Sequence, residues 1–187
     1  MGIVYEAEQI SVSRRVAVKV LAAGPSLDDR QLARFQREAR TAAQLHHTNI
    51  VPVFEVGCEQ GIHFYVMQLI EGCGLDRVIA ESKAGPSAIR HPPSAIEAAR
   101  IGLQVAEALE YAHQRGVIHR DIKPSNLILD PRGIVWISDF GLVKCLESSD
   151  ADLTRTGDVV GTARYMSPEQ ALAKRAPIDH RSDLYSL

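Results

Sequence analysis

Cysteine is scarce in this 187-residue chain: Cys58, Cys73 and Cys145 are odd in number, widely separated and without a C-x-x-C pair. That pattern argues against a disulfide framework and against a zinc site, and it suits a reducing cytoplasm. Histidines do not fill the gap, since His46, His47, His63 and His113 lack metal-ligand spacing. Long apolar runs are missing as well. No stretch approaches the roughly 20 residues needed to cross a bilayer, and no basic-then-apolar leader opens the chain. The expected location is cytoplasmic, although a longer parent could carry a membrane anchor. Neither sign of charge dominates: 21 Lys+Arg against 23 Asp+Glu give a formal net charge of −2. Nucleic acid and anionic surfaces are therefore not expected as partners. Internal repeats and low-complexity tracts are also absent.

What remains is an ordinary globular composition, 45% hydrophobic and 24% charged, long enough for one domain or two small lobes. Residues 15–21 alternate as a strand does, with Lys19 inside VAVKV, and residues 27–45 carry an amphipathic helical pattern that includes Glu38. Two further strand-like runs, 50–56 and 62–69, flank a turn containing Gly57 and Gly61. The proline-containing stretch 80–94 reads as an exposed loop. A helix follows it. Ser94 and Glu97 have capping-box spacing, Ile101, Val105, Leu109 and Ala112 form an apolar stripe, and Gly116 is placed to end the helix. Residues 127–129 and 135–137 then read as a short hairpin turned by Asp130 to Gly133.

The stretch HRDIKPSN, His119 to Asn126, puts a carboxylate, a cation and an amide at short fixed spacing. Asp121 can accept the proton of an attacking hydroxyl, Lys123 can neutralise charge on a moving phosphoryl group, and Asn126 offers an oxygen to a metal ion. Asp139, in SDFG and 13 residues beyond Asn126, supplies a second hard-oxygen ligand. The hairpin sets Asn126 and Asp139 at its two ends, so one metal ion could touch both.

These motifs resemble the catalytic and metal-binding loops of protein kinases. VAVKV, the helix bearing Glu38, GTARYMSPE (Gly161 to Glu169) and DHRSDLYSL (from Asp179) occur in the family's order. The resemblance implies an α+β, two-lobed fold, with a small lobe over residues 1–72 and a large lobe over 73–187. It also implies ATP with Mg2+, or Mn2+, as cofactors, and transfer of the γ-phosphoryl to a protein serine or threonine. Lys19, oriented by Glu38, would hold the α- and β-phosphates. Met67 falls at the gatekeeper position, and Gln68 to Glu71, including Ile70, at the adenine hinge. Gly2 and Val4 in GIVYEA resemble the strand leaving a phosphate-covering loop. Thr162 would brace Asp121 and Lys123, and Asp183 would anchor the catalytic-loop backbone from below.

Thr162 and Lys123 resemble the serine/threonine type, and HHTNIVPV and ARYMSPEQA resemble bacterial eukaryotic-like members. Phosphorylation at Thr154 or Thr156 would be read by Arg120, with Lys144 as a second contact and dimerisation allowing modification in trans. Set against the family pattern, Met1 falls inside the glycine-rich loop and Leu187 inside a helix, so truncation at both ends is expected, with Glu169 lacking a later arginine. Two other readings stay open. Glu38 lies among Arg34, Arg37 and Arg40 and could serve a surface ion pair, and the chain could be an inactive kinase fragment or nucleotide-binding pseudokinase acting through binding. Small-molecule phosphotransferases lack the GT…SPE segment.

Overall fold

A computed structural model describes residues 3–20, 39–83, 93–140, 163–172 and 178–187. Gly2, Glu38, Lys144, Thr154, Thr156 and Thr162 lie outside the described residues.

The first part of the chain is a four-stranded antiparallel sheet built from β1 (Ile3–Gln9), β2 (Arg14–Val20), β3 (Val53–Glu59) and β4 (Ile62–Gln68), in the order β1-β2-β4-β3. Alternation along β2 and β4 makes two faces. Ala17 and Lys19 share one face with their cross-strand partners Met67 and Tyr65. Buried Ala17, Ala39, Val51, Tyr65 and Met67 form the apolar cluster on that side. Lys19 is thus a cation on the inner face of a sheet, only 7% exposed, and needs an anion opposite it.

The β3–β4 hairpin differs from its sequence reading. Its turn is the two-residue Gln60–Gly61 pair, both with positive φ (49° and 78°), the geometry of a tight hairpin whose twist matches the strands. Gly57 sits inside β3 instead, beneath the Phe64 ring, where a Cβ would meet Phe64 Cζ at 2.5 Å. The strand also starts later than residue 50. Asn49 and Val51 bond to Ile137 (Ile137 N to Asn49 O 2.8 Å; Val51 N to Ile137 O 2.9 Å), so this stretch bridges to the second sheet before β3 begins.

The second sheet is β5 (Cys73–Gly74), β6 (Leu127–Leu129) and β7 (Val135–Ile137), in that order. Between β5 and β6 run helix α1 (Leu75–Lys83) and helix α2 (Ala95–His113). Helix α1 was not anticipated: it enters the stretch read as loop from residue 80, because the turn-forming glycine and prolines begin only after Lys83. Helix α2 starts as its sequence dictates, with Ser94 and Glu97 closing a reciprocal capping box. Its inner face is enclosed along most of its length: Val105, Ala108, Leu109 and Ala112 are each 0% exposed, and Ile101 is partly buried. They pack with Leu45, Ile50, Ile122, Leu127, Val135, Ile137 and Phe140 into one core. Burying each large side chain of this set is worth about 1.5–3 kcal/mol, so the helix is fixed against the sheet that carries the catalytic-loop motif. Two short helices, α3 (Pro168–Ala171) and α4 (Arg181–Ser186), close the described chain.

Candidate active site

The loop between α2 and β6 holds Asp121, Lys123 and Asn126 as one hydrogen-bonded unit. Lys123 Nζ lies 2.9 Å from Asp121 Oδ2. Asn126 Nδ2 donates to the Asp121 backbone carbonyl at 2.8 Å and to Oδ2 at 3.1 Å. That orients the Asn126 amide, nitrogen toward Asp121. A short 3-10 turn at Pro124–Asn126, opened by the proline, makes the 121–126 spacing compact.

Asn126 and Asp139 stand at neighbouring ends of the β6–β7 hairpin, as expected. Leu127 pairs with Ile137, and the next residues outward are joined by Ser138 N to Asn126 O at 2.9 Å. Asp139 follows directly. Its backbone is left-handed, φ 64°, a conformation that non-glycine residues adopt rarely. From the first sheet Lys19 Nζ reaches its Oδ2 at 2.5 Å, and the Tyr65 hydroxyl donates to its Oδ1. Burial first, then the Asp139 charge, pushes the Tyr65 hydroxyl far above its usual pKa, so it is a donor throughout the physiological range.

The loop is supported from beneath by Asp183, which is 0% exposed. Its Oδ1 accepts from Arg120 N (2.7 Å), and its Oδ2 from His119 N (2.8 Å) and His113 Nε2 (2.8 Å). This is the anchoring role read from the sequence. Arg120 is itself left-handed, φ 68°, and its carbonyl accepts from Gln170 Nε2 at 2.7 Å. Gln170 completes a second capping box with Ser167 at the start of α3.

His119 packs on Phe140 with ring centroids 4.6 Å apart. Its Nε2 must carry the proton, because it faces the Ser138 carbonyl at 2.9 Å while Nδ1 accepts from Asp121 N at 3.2 Å. Burial holds its pKa below the usual histidine value, outweighing the nearby carboxylates, and keeps the ring neutral. Glu169, expected to lack its later arginine, accepts from Ser182 Oγ at 2.5 Å, and this bond above all holds its pKa below the usual carboxylate value.

The remaining sequence-derived positions fall as follows. Val4 pairs with Lys19 across β1 and β2, placing Val4, Lys19 and Tyr65 in one row on one face; Val4 is half exposed. Met67 is buried in the cluster behind Lys19, Gln68 ends β4 with its N–H on Pro52 O at 3.0 Å, and Ile70 packs against that cluster. Tyr65 and Gln170 were not singled out from sequence, and His113 was considered only as a histidine without metal-ligand spacing. The signal for Tyr65 was a polar-tipped residue in an apolar strand, opposite Lys19 once register is known.

Two hard oxygens at the hairpin ends suit a small divalent cation. Among the described residues no cluster of three or more His, Cys, Asp or Glu could hold a metal by itself. Magnesium has no such need, since it usually takes one or two protein oxygens, water and substrate phosphates. The donor set therefore fits.

A strand-borne lysine thus meets the Asp139 carboxylate, above a loop that joins Asp121, Lys123 and Asn126; the expected Glu38 partner of Lys19 lies outside the described residues. The protein kinase domain model matches residues 1–187. The chain belongs to the protein kinase domain family. It is 39% identical over 187 residues to serine/threonine-protein kinase PrkC of Bacillus subtilis, covering 100% of this chain and 27% of that protein. It is 41% identical over 192 residues to serine/threonine-protein kinase PknA of Mycobacterium tuberculosis, covering 100% of this chain and 42% of that protein. Among solved structures, the M. tuberculosis PknI kinase domain superposes with a TM-score of 0.71 at 30% identity, over 100% of this chain and 64% of that one. The chain thus spans less than half the length of these curated relatives, and about two thirds of a solved kinase domain. The α+β kinase fold, with a β-sheet lobe and helices, is shown by these likenesses together with the sheet and helix order described above.

Proposed function

We propose that this domain transfers the γ-phosphoryl group of ATP to serine or threonine hydroxyls of protein substrates. The observation that carries the reading is the joining, through one hairpin, of the Asp121–Lys123–Asn126 loop to an Asp139 that Lys19 reaches from the sheet lobe. The lobes divide near residues 72 and 73, and ATP lies between them, its adenine against Gln68 and Ile70 with Met67 behind.

Lys19, with Glu38 as its partner, binds the α- and β-phosphates, while Gly2 and Val4 cover them. Asn126 and Asp139 would hold Mg2+, which would supply neutralisation of charge on the nucleotide phosphates. Asp121 orients the acceptor hydroxyl and takes its proton. Lys123 stabilises the transferred group, and Thr162 positions the loop for the substrate. Thr154 and Thr156 are the regulatory acceptors: a phosphate there would carry about −1.5 to −2 charge and pair with Arg120. The names of PrkC and PknA as serine/threonine kinases support the acceptor class.

Two substitutions in the full-length protein test this reading. Asp121→Asn keeps the shape but not the base, and should lower phosphotransfer by about 10²–10⁴-fold with ATP binding nearly unchanged. Asp139→Ala should abolish the magnesium dependence of ATP binding. Parental transfer by the first variant overturns the catalytic assignment. Nucleotide binding with no transfer by the parent would establish the binding-only alternative.

A further inference from the structure

We infer that Tyr65 is a positioning residue for the metal-binding carboxylate: its hydroxyl fixes the orientation of Asp139 from the sheet lobe. The inference rests on the reading of Asp139 as a magnesium ligand. Tyr65 and Lys19 are directly opposite on β4 and β2, so their side chains rise from the same face about 4.5–5.5 Å apart at Cβ. Both polar tips converge on Asp139, one on each carboxylate oxygen.

The two donors are not equivalent. Lys19 is a single charge on a flexible stem, and in the proposed cycle it turns to the nucleotide phosphates. Tyr65 cannot turn. Its ring is 1% exposed and wedged among Ala17, Ala39, Val51 and Met67, so the hydroxyl is held where it is. Phenylalanine would satisfy that packing; the hydroxyl has the Asp139 carboxylate as its purpose.

Asp139 needs such a guide. Its backbone is already set, by a left-handed φ of 64°, by the Ser138 N–H on Asn126 and by Phe140 against His119. Its side-chain torsion is the freedom left, and a donor fixed on Oδ1 removes it. The hydrogen bond does not compete with coordination, because each carboxylate oxygen has two lone pairs. Hydrogen-bonded supports of metal ligands typically govern affinity by about 10–100-fold.

The test is a magnesium titration of the full-length protein bound to a fluorescent ATP analogue, with and without Tyr65→Phe. About tenfold more magnesium should be needed for half-maximal binding in the variant, while metal-free nucleotide affinity stays unchanged. In turnover the apparent KM for magnesium should rise, with kcat at saturating magnesium within about twofold of the parent. Introduced into Asp139→Ala, Tyr65→Phe should change nothing further. An unchanged or lowered magnesium midpoint in Tyr65→Phe overturns the proposal, as does an equal effect in both backgrounds. Tyr65→Met, with the same expectation, serves if the phenylalanine variant does not fold. If Asp139→Ala keeps its magnesium dependence, it is the reading of Asp139 that fails.

Discussion

Asp183→Ala is the substitution whose consequence can be worked most fully from the geometry. The carboxylate is 0% exposed and accepts three hydrogen bonds, from the backbone N–H groups of His119 and Arg120 and from the His113 ring. Alanine leaves all three donors without that acceptor. The two backbone groups have little freedom to find another, because the Arg120 carbonyl is bonded to Gln170 and the His119 ring to Ser138. A buried donor left unsatisfied costs about 1–3 kcal/mol, so this pair alone represents about 2–6 kcal/mol. The His113 side chain is only 10% exposed, so its ring is a third donor that water reaches poorly. The expected destabilisation is about 3–5 kcal/mol, a large part of a domain's usual 5–15 kcal/mol. Asp183→Asn should lose less, since one oxygen still accepts while the amide nitrogen opposes the second N–H. Urea unfolding of the full-length protein measures the total, and hydrogen exchange at the His119 and Arg120 amides locates it. A loss below about 1 kcal/mol, with both amides still protected, would refute the anchoring argument.

His119 is buried neutral, so its folded pKa lies below the unfolded value near 6.5; below about pH 6.5 the unfolded chain binds the extra proton and stability falls. His119→Phe should flatten that part of the stability–pH curve as followed by thermal melting. Asp130 behaves at lower pH: against its burial, hydrogen bonds from Ile134 N, Arg132 and Trp136 hold its pKa to about 2. Its contribution is present above about pH 4 and is lost as the pH falls toward 2, so Asp130→Asn should melt lower at pH 7 and respond less to acid in that window. Gly57→Val should destabilise the first sheet by about 1–3 kcal/mol, because Cβ would enter the Phe64 ring at 2.5 Å. Adding Phe64→Leu should recover part of that loss, and simple additivity of the two would count against the contact.

The sequence was most legible where chemistry is local. Asp121, Lys123 and Asn126 lie within six residues, so spacing alone predicted a unit that the hydrogen bonds then show. The α2 cap and stripe were equally readable, since a capping box and a 3.6-residue period are properties of neighbouring residues. Legibility failed where register or competition between neighbours decides. Gly57 looks like a turn residue until Gln60–Gly61 takes the turn, after which its lack of a side chain serves the Phe64 ring. Helix α1 hid behind its own proline-rich exit. Tyr65 could not be paired with Asp139, 74 residues away, without knowing which β4 residue faces Lys19.

The same distinction explains how a carboxylate on one sheet is reached from another. β7 is bonded on one side to β6 and on the other to Asn49 and Val51, which lead directly into β3 of the first sheet. Asn49 reinforces the seam, donating through Nδ2 to Val135 O and to Gln104 of α2, each at 2.8 Å. Ser138 and Asp139 leave this doubly held strand, so their position answers to the Asp121–Asn126 loop through Asn126 and to the sheet lobe through the segment at 49–51. Lys19 and Tyr65 then need only the inner face of their own sheet to meet Asp139. A shift of one sheet against the other would alter those two contacts before it altered the Asp121–Lys123–Asn126 unit, which is closed within its own loop. Differences in lobe arrangement should therefore register first in the Lys19 and Tyr65 bonds to Asp139 and last in the geometry around Asp121.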